Sequence, residues 1–207
     1  MTGNLYIITA ASGVGKTTLV RALLAQDRGI GLSVSYTTRP PRPGEREGED
    51  YHFVDDAQFL RMLAAGEFLE SAEVHGARYG TARACVDSVL QRGQDLILEI
   101  DWQGAVQIRN LYPQAISIFI MPPSMEALVQ RLNKRNQDSA AVIARRLAVA
   151  REEMAHVCEF DYVTINDDFD MALADLQAIV RAQRLKLDKQ LQRHKILLED
   201  LCRSSDQ

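Results

Sequence analysis

The chain has 207 residues, of which 46% are apolar and 25% are charged, with a formal net charge of −4. This length suits one domain, or one core with small inserted lobes, and the acidic balance argues against a general affinity for nucleic acid. No apolar run approaches the length of a membrane-spanning helix, and the N-terminus lacks the segments of a secretory signal. The three cysteines are too widely spaced for a metal cluster or a disulfide framework, so we expect reduced thiols in a cytoplasmic protein.

The first predicted elements are a buried strand over 4–9 and a helix over 16–26, joined by a small-residue loop that ends in Gly-Lys-Thr. This strand, loop and helix are typical of a phosphate-binding loop, although an ordinary tight turn is the alternative and Ala10 replaces the pattern's first glycine. The backbone N–H groups and the helix N-terminus would bind phosphate, Lys16 would reach the β- and γ-phosphates, and Thr17 would bind Mg²⁺. The predicted ATP-binding residues are Ala11, Ser12, Gly13, Val14, Gly15, Lys16, Thr17 and Thr18.

A segment rich in proline and glycine, over 39–50, excludes regular structure in the next part of the chain. Around it we predict strands at 33–38, 51–54, 68–74 and 78–81, and a helix that starts at Asp55 and ends at Gly66. Residues 35 to about 82 therefore predict a small mixed lobe inserted into a larger core.

The rest of the chain alternates helical and strand patterns. The predicted helices span 82–91, 104–111, 124–132, 139–157 and 170–202, and the predicted strands span 95–101, 115–121 and 162–165. Strands that alternate with helices indicate an α/β fold with a parallel sheet covered on both faces. In such sheets, ligands bind at the carboxyl ends of the strands, where the first strand delivers the phosphate-binding loop.

A second anion site is suggested beside the 39–50 loop. Ser35, Arg39, Arg42 and Tyr51 lie close together in the sequence, and two guanidinium groups with two hydroxyls suit a phosphate monoester. The alternative is a solvated loop whose arginines are balanced by neighbouring acidic residues, and the residues alone leave both interpretations open.

Several motifs in combination resemble the signature of guanylate kinases, above all the bacterial single-domain enzymes. They are SYTTRPPRPGE at 35–45, GEDY at 48–51, FLE at 68–70, YGT at 79–81, EIDWQG at 99–104, PPS at 122–124, RL at 131–132, RRL at 145–147 and NDD at 166–168, together with Arg135. The resemblance implies a P-loop nucleoside-monophosphate kinase fold that transfers the γ-phosphate of ATP to GMP with Mg²⁺. It also implies a core (1–34, 83–130 and 147–207), a GMP-binding lobe (35–82) and a lid (131–146).

The resemblance also assigns the GMP-binding residues. Ser35, Arg39, Arg42, Tyr51 and Tyr79 would hold the phosphate, and Glu70, Thr81 and Asp101 would read the base. A carboxylate can accept hydrogen bonds from N1–H and the 2-amino group of guanine, whereas adenine has no donor at N1. Glu99 and Asp101 end one predicted strand on the same face. We expect a capping or ion-pairing role for Glu99, and the active site or the Mg²⁺ water shell for Asp101.

Basic residues cluster around a predicted break between two helices. A solvated charged surface is the ordinary interpretation, but arginines beside a triphosphate can stabilise phosphoryl transfer. By resemblance the catalytic residues are Arg131, Arg135 and Arg146, together with Lys16 and Arg39, and Arg145 is expected to be exposed. Asn166 and Arg135 would contact adenine. Related lids often have glycine where this chain has Lys134 and Asn136.

The C-terminal helix, over 181–203, has an incomplete apolar stripe, which favours packing on the core or on a second copy of the chain. ATP and GMP are the expected small-molecule partners, without nucleic acid or membrane. Two other functions remain open, namely an inactive interaction domain and a related kinase with a different acceptor. The complete Gly-Lys-Thr motif argues against the first, and Glu70 with Thr81 argues against the second.

Overall fold

The computed structural model describes residues 3–74, 76–133 and 140–202. The strands are β1 (Leu5–Ala10), β2 (Ile30–Leu32), β3 (Tyr36–Thr37), β4 (His52–Phe53), β5 (Phe68–Val74), β6 (Ala77–Ala82), β7 (Asp95–Glu99), β8 (Ile116–Met121) and β9 (Tyr162–Ile165). The helices are α1 (Lys16–Gln26), α2 (Asp56–Ala64), α3 (Arg83–Gln91), α4 (Trp102–Leu111), α5 (Met125–Asn133), α6 (Ala140–Ala155), α7 (Phe169–Arg184), α8 (Leu187–Arg193) and α9 (Lys195–Cys202).

A five-stranded parallel sheet, in the order β2-β7-β1-β8-β9, forms the centre of the molecule. Its inner strands are mostly apolar, and Ile7, Leu98 and Phe119 are fully buried because helices cover both faces. The carboxyl ends of these strands meet at one edge, where they place the loop after β1 and the acidic residues after β7 side by side. The predicted α/β class with a helix-flanked parallel sheet is confirmed.

A second sheet of four short strands, in the order β4-β3-β6-β5, is formed by the middle of the chain. It is mixed, because β3 pairs with β4 in parallel and with β6 antiparallel. Helix α2 covers it and stacks Phe59 on Phe68, with the ring centroids 4.6 Å apart. The side chain of Asp55 caps α2 by accepting the N–H of Gln58 at 2.6 Å. This sheet and α2 come from the segment for which the sequence predicts a small mixed lobe.

The single strand predicted over 33–38 is wrong. The core strand β2 ends at Leu32, and β3 of the second sheet begins at Tyr36. The N–H of Ser33 donates to the carbonyl of Ile97 at 2.9 Å, which completes the core pairing, whereas Tyr36 already pairs with Gly80 of the other sheet. The chain changes sheets within three residues, so the predicted span contains β3 alone and misses the core strand β2 just before it.

The strand predicted over 95–101 is two residues too long. Strand β7 ends at Glu99, and α4 begins at Trp102 because the carboxylate of Asp101 accepts the N–H of Gly104 at 2.9 Å. Asp101 is therefore the residue that caps a helix, a role that we had expected for Glu99.

The C-terminal region forms three helices rather than one continuous helix. Helix α7 buries Leu173, Leu176 and Val180 against the core, whereas none of the residues of α8 and α9 is buried. The last residue of α7, Arg184, forms ion pairs with Asp27 at 2.6 Å and Asp95 at 2.7 Å. No helix in the described ranges is long and apolar enough to span a membrane.

Candidate active site

The loop between β1 and α1 has the backbone that an anion site needs. Gly13 and Gly15 have φ angles of 90° and 107°, which side chains other than glycine rarely adopt. Gly15 is also the N-cap of α1 and has no capping side chain. The free N–H groups of the first helical turn therefore face the space above the loop, as in phosphate sites at helix N-termini.

Lys16 and Thr17 reach the ends of the neighbouring strands. The Lys16 ammonium donates to the carbonyl of Ile100 at 3.2 Å, and Thr9 donates to the same oxygen at 3.1 Å. The Thr17 hydroxyl donates to the carboxylate of Glu99. A cation, a hydroxyl and a carboxylate therefore converge at the carboxyl end of β7.

The oxygen donors beside the loop fit Mg²⁺. Hydroxyl and carboxylate oxygens, such as those of Thr17 and Glu99, are hard ligands that this ion prefers. Among the residues with described positions, no group of three or more His, Cys, Asp or Glu side chains forms a metal cage. In phosphoryl-transfer sites Mg²⁺ binds through few protein ligands, several waters and the substrate phosphates, so a hydroxyl and a carboxylate are donors of the kind that it uses.

The loop faces a cleft of about 250 Å³ that extends to the second sheet. The predicted site residues that line the cleft are Ala11, Ser12, Gly13, Gly15, Lys16, Thr17, Thr18, Ser35, Arg39, Arg42, Tyr51, Glu70, Tyr79, Asp101 and Arg146. Val14, Arg131 and Asn166 lie instead in an adjoining hollow on the other side of the loop. Arg135 lies outside the described residues, as do Lys134 and Asn136. Most of the residues assigned to two separate ligands thus meet in one cavity.

Two of the residues that line this cleft are arginines, Arg39 and Arg42. Nη2 of Arg39 donates to both carboxylate oxygens of Glu45, at 2.8 and 2.9 Å, and the backbone N–H of Arg42 donates to Glu45 at 2.7 Å. The Arg39 guanidinium also lies 5.4 Å from the ring centroid of Tyr51, and burial raises the pKa of that phenol to about 12. The guanidinium is largely buried and its donors hold a carboxylate of the same loop, as the balanced-loop interpretation expects; a phosphate would bind through the same donors in place of Glu45.

The far end of the cleft holds a buried carboxylate. Glu70 is 3% exposed, and its Oε1 accepts the hydroxyl of Thr81 at 2.6 Å. Burial raises the pKa of Glu70 to about 7, and the nearby charge of Asp101 adds to the shift, although the Thr81 hydrogen bond opposes it. Thr81 is fully buried and does not line the cleft. Thr81 therefore holds the Glu70 carboxylate in position from behind the cleft surface.

Arg131 and Asn166 hold the back of the phosphate-binding loop. Arg131 donates to the carbonyl of Val14 at 3.0 Å and to that of Asn166 at 2.7 Å, and the Asn166 amide donates to Val14 at 2.7 Å. Arg146 lies on the cleft side, where it donates to the hydroxyl of Ser12 at 2.9 Å. Arg145 is exposed, as expected. The described arginines therefore contact the loop from two sides.

Sequence reasoning missed Glu153. Its carboxylate accepts the backbone N–H of Ser12 at 3.1 Å, and burial raises its pKa. It lines the cleft two turns after Arg146 on α6. The seven-residue spacing places both side chains on one helical face, and this is the signal that could have identified it.

Comparison with known proteins agrees with this arrangement. The family model described as guanylate kinase matches residues 2–183. The chain is 67% identical over 201 residues to the guanylate kinase of Methylobacillus flagellatus, which covers 97% of this chain and 100% of the relative. It is 57% identical to that of Dechloromonas aromatica, covering 96% of this chain and 98% of the relative.

A solved structure shows the same fold. The crystal structure of guanylate kinase from Anaplasma phagocytophilum superposes with a TM-score of 0.78 at 35% identity, and the match covers 97% of this chain and 96% of the other. Sequence family and structure thus agree along almost the whole chain, and the resemblance inferred from the motifs is confirmed. The chain belongs to the guanylate kinase family.

Proposed function

We propose that this enzyme transfers the γ-phosphate of ATP to GMP within the single cleft described above. ATP phosphates bind at the loop between β1 and α1, and GMP binds between that loop and the second sheet. The observation that carries the proposal is that the lysine of the phosphate-binding loop, the Arg39 and Arg42 pair and the buried Glu70 carboxylate line one cavity. Phosphoryl transfer needs both substrates in line in such a space.

The ATP phosphates are held by the backbone N–H groups of residues 11–18 and by Lys16. The Lys16 ammonium turns from the Ile100 carbonyl, 3.2 Å away, towards the β- and γ-phosphates. Thr17 would hold Mg²⁺ with Glu99 beside it, and Asp101 would act on the ion through water; the bound ion would neutralise charge on the phosphates. Asn166, with Arg135, contacts the adenine from the adjoining hollow.

The GMP phosphate binds among Ser35, Arg39, Arg42, Tyr51 and Tyr79. All five line the cleft, and the phosphate would take the Arg39 guanidinium donors that hold Glu45 in this structure, because carboxylate and phosphate oxygens bind the same groups. The tyrosine rings of residues 51 and 79 lie 5.9 Å apart and form a wall beside this arginine.

The guanine ring is read by Glu70 with Asp101 nearby. Ionised Glu70 accepts from N1–H and the 2-amino group, and Thr81 fixes the carboxylate from behind at 2.6 Å. A base without a donor at N1 would leave this buried carboxylate without a partner, which is costly. The site therefore selects guanine, because any base that lacks these donors leaves the buried Glu70 carboxylate without a hydrogen-bond partner.

The chemical step requires positioning and charge stabilisation rather than a general base, because the accepting phosphate oxygen is already anionic. Lys16, Arg39 and Arg146 face the cleft where the transferred group passes, and Arg131 and Arg135 complete the predicted set of lid arginines. Exclusion of water from the cleft strengthens these electrostatic interactions.

The proposal also covers the division of the chain into parts, its location in the cell and its association with a second copy. The core, GMP-binding lobe and lid divide the chain at the boundaries predicted from the sequence, and the enzyme works in the cytoplasm. A second copy of the chain covers the C-terminal helices, because Leu187, Ile196 and Leu201 are each more than 70% exposed.

Steady-state kinetics with each substrate varied separately test the residue roles. Lys16→Ala should lower kcat by at least about 10³-fold while GMP still binds.

Arg39→Ala should raise the KM for GMP about 100-fold and leave the KM for MgATP nearly unchanged, because it removes a charge-assisted phosphate contact. Arg46→Ala is the matched control, since Arg46 lies on the same loop but pairs with Glu49 in solvent. An Arg39 variant with an unchanged KM for GMP would contradict the assignment.

A further inference from the structure

Helix α4 of the core is joined to strand β5 of the second sheet by one side chain. The amide of Gln107 accepts the backbone N–H of Ser71 at 3.2 Å and donates to the Ser71 carbonyl at 2.9 Å. Strand β5 is an edge of its sheet, so this amide satisfies the two backbone groups that a further strand would otherwise pair. Ser71 directly follows Glu70, so the two hydrogen bonds from Gln107 fix the backbone beside the buried carboxylate.

One turn earlier on the same helix, Gly104 lies against the Glu70 carboxylate itself. A Cβ atom at position 104 would come within 2.6 Å of Oε2 and 3.1 Å of Cδ of Glu70. The other carboxylate oxygen is held by Thr81 at 2.6 Å. Positions 104 and 107 share one face of α4 because they are three residues apart. This face thus contacts both the carboxylate and the strand that carries it.

We infer that Gly104 and Gln107 are positioning residues that set base specificity, because they fix where the Glu70 carboxylate stands. The inference rests on the proposed role of Glu70 as the reader of guanine. Gly104 leaves the space that Oε2 occupies, and Gln107 holds β5 against the helix. Neither residue lines the cleft, so each acts on the substrate only through Glu70.

An alanine at position 104 would normally favour a helix over glycine, so a loss of function there is informative. Here the added methyl group pushes the carboxylate away from Gly104, while Thr81 restrains its other oxygen. Gln107→Ala frees β5 instead, without adding any atom. The two substitutions thus perturb the Glu70 carboxylate in opposite ways: Gly104→Ala crowds it, and Gln107→Ala loosens the strand that carries it.

The test compares GMP with IMP, which lacks the 2-amino group, as acceptors in the full-length enzyme. Gly104→Ala and Gln107→Ala should each lower the ratio of kcat/KM for GMP over IMP about tenfold, mainly through the KM for GMP. The KM for MgATP and the midpoint of thermal unfolding should change little. Asn110→Ala, at an exposed position of the same helix, should leave all of these values unchanged.

Glu70→Gln, measured in parallel, separates this inference from the function on which it rests. If Glu70→Gln loses discrimination but Gly104→Ala and Gln107→Ala keep it, the positioning role is overturned while the reading of guanine by Glu70 stands. If Glu70→Gln also discriminates normally, both are overturned. Equal losses for GMP, IMP and MgATP would indicate general damage to the fold and would contradict the inference as well. If Gly104→Ala does not fold, Gln107→Ala decides alone.

Discussion

Replacing Glu70 with glutamine should make the empty enzyme more stable and a poorer guanine binder. In the empty cleft this acid is 3% exposed, and burial raises its pKa from 4.5 to about 7. Such a shift corresponds to about 3 kcal/mol of unfolding free energy. The amide introduced by Glu70→Gln would keep an oxygen acceptor for the Thr81 hydroxyl and carry no charge to bury.

The sign of the pH dependence follows from the two protonation equilibria. Below about pH 4.5 the acid is protonated in both the folded and the unfolded chain, and Glu70 costs nothing. As the pH rises to about 7, the unfolded chain releases its proton while the folded chain retains it, so the wild-type enzyme loses stability over this window. The glutamine variant should therefore match the wild type near pH 4.5 and exceed it by about 3 kcal/mol at about pH 8.

Urea unfolding of both proteins without nucleotide, at several pH values, measures this difference. Glu73→Gln is the matched control, because Glu73 lies on the same strand with its side chain 61% exposed to solvent. Calorimetric titration with GMP should give the opposite order, with binding at least about tenfold weaker for Glu70→Gln. A stability difference that does not change with pH would refute the buried-carboxylate argument.

Two further predictions concern other buried charges. Arg184→Ala should lower the free energy of unfolding by about 3 kcal/mol, because it leaves the 6% exposed Asp95 without its guanidinium partner, whereas the exposed Arg181→Ala should change little in the same urea titration. Glu153→Ala should lower kcat about tenfold by removing the acceptor of the Ser12 N–H, and Glu153→Gln should restore most of it. A Glu153→Gln enzyme no better than the alanine variant, or an Arg184→Ala enzyme as stable as its control, would contradict these arguments.

Local sequence signals predicted the parts of the site that are contiguous in the chain. The phosphate-binding loop could be predicted because its strand, glycines and Gly-Lys-Thr lie within residues 4–17. The α/β class was predicted from alternating helical and strand patterns. The family was predicted from motifs spread over the chain, and the comparison with known proteins confirms it. The start of α2 at Asp55 was also predicted, since a helix N-terminus is marked by residues within one turn.

The sequence did not predict the features that depend on where separate elements meet. The strand expected over 33–38 contains only β3, and the core strand Ile30–Leu32 just before it was missed, because its pairing with β7 and that of Tyr36 with β6 are contacts distant in sequence. Capping was expected of Glu99 and the site of Asp101, but Asp101 caps α4 while it also lines the cleft, and Glu99 accepts the Thr17 hydroxyl there. Glu153 looked like one surface acid among several until α6 was placed against Ser12.

The most direct test of the account is ADP formation from MgATP with GMP, AMP, CMP and UMP offered as separate acceptors. A cleft that reads the base through Glu70 predicts rapid turnover with GMP and turnover lower by several powers of ten, roughly 10⁴-fold, with AMP. Comparable turnover with AMP, CMP or UMP would keep the phosphoryl transfer but remove Glu70 from base recognition. Binding of GMP without any turnover would contradict the central claim that this cleft is a catalytic one.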